Sequence, residues 1–92
     1  MDNLTIAHRL VGMARELEGQ QGNLYRIRAY RRAAETVMNL ERPVEEIVGE
    51  SGRRGLRNLP GIGSSLSEKI VNLVRTGDFT TLKAKEELAA AG

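Results

Sequence analysis

The stretch Leu59-Pro60-Gly61-Ile62-Gly63-Ser64-Ser65-Leu66 constrains the fold of this chain more than any other. Pro60 fixes its own φ and removes a donor, while Gly61 and Gly63 allow positive φ and leave the backbone uncovered. A tight, bare turn follows. Ser64 or Ser65 is placed to cap the run after it, Leu66 to Arg75, whose apolar positions 66, 70, 73 and 74 fall on one helical face. The free amides of the turn and of that helix's first residues therefore share a direction, with the positive end of the macrodipole behind them. That arrangement suits a phosphate oxygen.

The rest of the chain reads as helix. Asp2 or Asn3 caps a first helix to about Gly19, with Ile6, Ala7, Leu10, Met13, Ala14 and Leu17 as its apolar stripe. His8 lies off that stripe and is assigned no role. Gly22 reads as a C-cap or turn residue and Asn23 as the next cap. A second helix is expected from about Tyr25 or Ile27 to Leu40, burying Ile27, Tyr30, Ala34, Val37 and Met38, with Arg31 able to meet Glu35 one helical step on. Pro43 reads as the first residue of a short helix to about Gly49, and Gly52 and Gly55 bracket another from Arg53 to Asn58. Thr76-Gly77-Asp78 closes the helix after the turn, and Phe79 and Leu82 are expected to fold back as a last apolar anchor. No strand alternation appears.

At 92 residues the chain can bury one modest core, too small for a deep catalytic cleft. It has no cysteine and a single histidine, which excludes a disulfide framework and a thiolate zinc site. No run is long enough for a membrane span, and no signal core follows the N-terminus, so an intracellular, cytoplasmic location is expected, nucleoid-associated in a bacterium. The net charge of +2 is unevenly spread. Residues 23–34 hold Arg26, Arg28, Arg31 and Arg32 and no acid; residues 51–75 hold five cations against Glu68 alone. A surface facing a polyanion is the implication.

Four segments, Arg26 to Ala34, Leu59 to Gly63, Glu68-Lys69-Ile70 and Thr76-Gly77, together resemble the N-terminal domain of family X DNA polymerases, the beta-like enzymes in their bacterial and archaeal type. The resemblance spans Asn3 to Leu82. It implies an all-α fold, a compact bundle of about four to five helices holding a helix-hairpin-helix motif, with the domain at 1–82, the hairpin at about 53–75, and a helix-prone tail or linker at 83–92. It implies a monomer that grips DNA without reading sequence, at gapped, nicked or 5′-phosphorylated sites in repair. Gly61, Ile62, Gly63, Ser64 and Ser65 would meet phosphate through the backbone, joined by Arg26, Arg28, Tyr30, Arg31, Arg32 and Lys69. Arg26 stands where the family has a phosphate-binding lysine, and Tyr30 matches a tyrosine of the 5′-phosphate pocket. No cofactor is required, although the carbonyls of Arg57, Leu59 and Ile62 match a site for Na+ or K+.

Some family members are also 5′-deoxyribose-phosphate lyases, and Lys69 matches their Schiff-base lysine. The departures are Ser65 in place of an assisting lysine, Thr81 in place of a pocket lysine and Tyr25 in place of a stacking histidine. Lyase chemistry is thus one alternative function, and a protein-protein interaction domain, its charges merely solvated, is the other. Polymerase chemistry is excluded for this chain because no carboxylate cluster for two metals is present. A C-terminal polymerase or phosphoesterase domain outside this chain is an expected partner.

Overall fold

A computed structural model describes residues 1–79. Among the described residues there are four helices: α1 (Asn3–Gly19), α2 (Leu24–Met38), α3 (Val44–Arg57) and α4 (Ser64–Thr76). The all-α bundle expected from the sequence is what forms. Leu82 and the 83–92 tail lie outside the described residues.

Helix α1 starts where Asp2, in extended conformation, accepts the Thr5 amide at 2.8 Å. Its end differs from expectation. The left-handed residue is Gln21 (φ 54°), one place before Gly22. The Gln21 amide bonds Glu18 O (3.1 Å) and the Gly22 amide bonds Leu17 O (2.7 Å), the paired bonds of a Schellman ending. Gly22 serves by its small size: a Cβ there would sit 2.9 Å from Leu17 O. Asn23 then caps α2 by accepting the Tyr25 amide at 2.8 Å, and the short turn sets α1 and α2 side by side.

The apolar stripes of α1 and α2 meet as read, with Ile6, Leu10, Ala14, Tyr30 and Val37 at most 1% exposed. Met38 does not join them. It is 53% exposed, because α2 ends there and Asn39 becomes the C-cap; Ala33, five residues earlier, is buried instead. Arg31 does not pair with Glu35. It forms an ion pair with Glu18 across the α1–α2 interface.

Pro43 is the N-cap of α3 and so precedes the first helical residue. It lacks a side-chain acceptor, and Asn3 supplies one from α1: its Oδ1 accepts the Val44 amide at 2.8 Å while its Nδ2 donates to Arg42 O at 2.9 Å. The helix runs past Gly49 to a break at Gly52 (φ 58°, ψ −140°), beyond which a second half continues to Arg57. Two half-helices are therefore present, as the glycine brackets implied.

Helix α4 buries Leu66, Ile70, Val71 and Leu73 against α3, and ends on Gly77 in the left-handed conformation (φ 78°). Besides the Asn3 bonds to the start of α3, further ties hold the two helix pairs together. Thr36 Oγ1 of α2 donates to Pro60 O at 2.7 Å, Arg9 of α1 donates to Gly77 O at 3.2 Å, and Phe79 folds back edge-on to Tyr30 with centroids 6.4 Å apart. Arg9 also lies over the Phe79 ring, so half of the expected terminal anchor is in place. Among the described residues no helix is long and apolar enough to cross a membrane.

Candidate nucleic-acid interface

The bend begins at Leu59. The Ile62 amide donates to Leu59 O at 3.2 Å, with Pro60 second and Gly61 third at φ 76°, the type II pattern in which the third residue needs positive φ. Gly61 is also held by contact. A Cβ there would lie 2.7 Å from Cγ and 2.8 Å from Cδ of Arg32, whose stem crosses the bend from α2. Ile62 is 3% exposed and anchors the turn in the core; its amide is bonded to Leu59 O, and it does not line the groove on the outer side of the bend.

Neither expected serine cap is a cap. Gly63 occupies that position in extended backbone (φ −95°, ψ −168°), and Ser64 and Ser65 are the first two residues of α4. The first bond within the helix is from the Ser67 amide to Gly63 O at 2.9 Å. The amides of Gly61, Gly63, Ser64 and Ser65 accordingly have no hydrogen-bond partner among the described residues. A Cβ on Gly63 would meet nothing within 4 Å, so neither its φ nor its packing demands glycine. The bend is bare because its outer side is open.

That side is a groove of about 360 Å³ between the start of α2 and the start of α4. Arg26, Tyr30, Gly61, Gly63, Ser64, Ser65 and Lys69 all line it, together with Tyr25, Ala29 and Leu66. Lys69 is half-buried and has no ion-pair partner among the described residues. Tyr30 is 1% exposed, and its hydroxyl is buried with no hydrogen-bond partner among the described residues. A buried hydroxyl left unpaired is costly, so a group that could bond it would be favoured there.

The remaining arginines separate. Arg32 crosses to the far side of the bend beside Pro60, Thr36 and Asn39. Arg28 is exposed and outside the groove, two residues round the helix from Arg26. Arg31, bound to Glu18, lines a different groove between α1 and α2 with His8 and Met38. Tyr25 was legible only as the counterpart of a stacking residue, yet it is 83% exposed on the groove's rim beside Arg26.

The carbonyls of Arg57 and Ile62 accept no hydrogen bond among the described residues, and Leu59 O accepts one, leaving a lone pair. All three are neutral oxygens, a ligand type that hard cations take. Among the described residues there is no group of three or more His, Cys, Asp or Glu able to hold a metal ion.

A comparison with curated proteins finds no match. A protein-family model described as a helix-hairpin-helix domain matches residues 1–79. The bend with its two flanking helix arms is the element that gives such domains their name, and with the match running from the first residue to Phe79 the chain belongs to the helix-hairpin-helix domain family.

Proposed function

We propose that this domain grips the sugar-phosphate backbone of gapped, nicked or 5′-phosphorylated DNA in repair, in the manner of the N-terminal domain of family X DNA polymerases. Helix-hairpin-helix domains in general bind DNA without reading its sequence, and the groove supports the finer reading. A terminal phosphate seated against the amides of Gly63, Ser64 and Ser65 would meet the positive end of α4, with Arg26 and Lys69 on either side and the Tyr30 hydroxyl below. The unbonded amides of Gly63, Ser64 and Ser65 on the groove wall carry the argument, and the open space at Gly63 leaves a ligand room to reach them. Tyr25 offers an exposed ring for an unpaired base at the rim. A Na+ or K+ on the carbonyls of Arg57, Leu59 and Ile62 would add one positive charge at the bend.

Gly63→Ser tests this. Its extended backbone is already that of a capping residue, so the new hydroxyl would bond the first amides of α4 and raise stability by a few tenths of a kcal/mol. The same hydroxyl would occupy the amides meant for phosphate, and affinity for a 5′-phosphorylated gapped duplex should fall about tenfold or more, the loss of one charge-assisted contact. Unchanged affinity in the better-folded variant would reject the reading. DNA that leaves the amide resonances of residues 61–67 unmoved would favour a protein-protein interface.

The placement of Lys69 supports a second reading, lyase action on a 5′-deoxyribose phosphate. Its amine is in the same groove as the proposed phosphate seat, where it would condense with the opened sugar before β-elimination. Borohydride trapping on a pre-incised abasic duplex decides it: no adduct, or one that survives Lys69→Ala, removes the assignment of Lys69 as the Schiff-base nucleophile.

A further inference from the structure

The second half of α3 carries Arg53, Arg54 and Arg57, all exposed and none with an ion-pair or hydrogen-bond partner among the described residues. Steps of three and four place them on one helical face. Acids are near enough to neutralise them. Glu50 precedes Arg54 by four residues, the favoured order for a helical ion pair, yet Glu50 and Glu46 both bond Arg42 instead, at 2.7 and 2.8 Å. Gly52 lies between. Its non-helical φ and ψ break the helical phase, so the arginines no longer project over the acidic half of α3.

Gly55 then lets the second half fold closely on the first, for a Cβ there would sit 2.8 Å from Ile47 Cγ2 and 3.0 Å from Ser51 Oγ. Leu56, within the basic turn, is fully buried and fixes which way the segment faces. Two special glycines thus hold three like charges together, and no carboxylate occurs from Ser51 to Ser67. The C-terminal end of α3 favours cations in its last turn, which accounts for their sign but not for the stripping away of Glu50.

We infer that the Arg53, Arg54 and Arg57 face is a second phosphate-contact surface, occupied by the backbone of the same DNA beyond the nucleotides held in the groove. The inference rests on the DNA reading above and extends its footprint. Only Asn58 separates Arg57 from Leu59, where the bend begins, so a strand gripped at the bend passes within reach of these side chains. Guanidinium forks on phosphate oxygens add affinity without adding base discrimination.

The test is the double variant Arg53→Ala/Arg54→Ala, which leaves Arg57, the bend and the groove intact. With a gapped duplex carrying about ten base pairs on each side, affinity should fall about tenfold, and the slope of log K against log salt should become shallower by about two. Binding of a 5′-phosphorylated trinucleotide, followed by the amide shifts of residues 61–67, should not change, and Arg53→Lys/Arg54→Lys should keep the salt slope. Undiminished duplex binding, or an equal loss on the trinucleotide, overturns the second surface. Failure of the unaltered domain to bind either probe overturns the groove reading itself, so the two failures are distinct.

Discussion

Gln21 carries the one positive φ outside glycine among the described residues, at 54°. An L-residue there brings Cβ against the following carbonyl, a strain of roughly 1–2 kcal/mol that glycine avoids. Gln21→Gly should therefore stabilise the domain by about 0.5–1 kcal/mol, once glycine's larger entropy in the unfolded chain is set against the relief. Urea unfolding measures it, and a lowered midpoint would contradict the Schellman ending of α1. The sequence pointed to Gly22 for this role because glycine is the usual left-handed residue. What it does not display is the 2.7 Å bond from the Gly22 amide to Leu17 O, which needs the bare Cα one position later. Ser64 and Ser65 misled in a similar way: serine favours caps, but the extended backbone falls at Gly63 and carries both hydroxyls into the helix.

At the level of elements, the N-cap of α1 and the break within α3 carry separable effects. Hydrogen bonds from Thr5, from its side chain and then its amide, hold the Asp2 carboxyl below the usual carboxylate range. A carboxyl lowered in the folded state stabilises at pH values above its unfolded pKa, and that contribution is lost as the pH falls through the folded value. Below about pH 4 the domain should lose this part of its stability, while Asp2→Asn, which keeps an acceptor that does not titrate, should lack it. Urea midpoints of the two proteins across the acid range give the difference directly, and parallel curves would refute the cap. In α3 the critical residue is Gly52, whose φ 58° and ψ −140° lie near the region populated by glycine alone. Gly52→Ala should cost about 1–3 kcal/mol although no atom lies within 4 Å of the added methyl, since the strain is in the backbone. Loss of stability within experimental error of zero would mean that α3 can run straight. Glycine at 52 and 55 showed in the sequence where a break would fall; the pairing of Arg42 with both Glu46 and Glu50 did not, because Arg42 precedes the helix and meets them only once Pro43 turns the chain.

For the whole molecule, function depends on how two helix pairs are mounted on each other. Thr36 joins α2 to the carbonyl of Pro60, so the wall bearing Arg26 and Tyr30 is fixed relative to the bend. Thr36→Val keeps the shape and removes the bond. It should lower stability by about 1 kcal/mol and weaken DNA binding several-fold as the groove loosens. Equal affinity in the two proteins would show that the groove is held by packing alone. Convergence of this kind was legible in part: the resemblance joined residues of the Arg26 to Ala34 run and of the Leu59 to Gly63 bend in one phosphate-binding set, and Arg26, Tyr30, Gly61 and Gly63 line one groove. The four arginines of α2 were not separable by sequence, since adjacent positions point to different neighbours. Only the packing sends Arg31 to Glu18, Arg32 across Gly61 and Arg26 into the groove.

The unpartnered amides at Gly63, Ser64 and Ser65 belong to the main chain, and truncating side chains cannot delete them. An alanine scan of this bend would pass over its strongest donors. If the groove seats a phosphate as proposed, the variants that disable it will be those that add atoms at Gly63, and a catalogue of losses by truncation would trace the rim of the grip while leaving its centre blank.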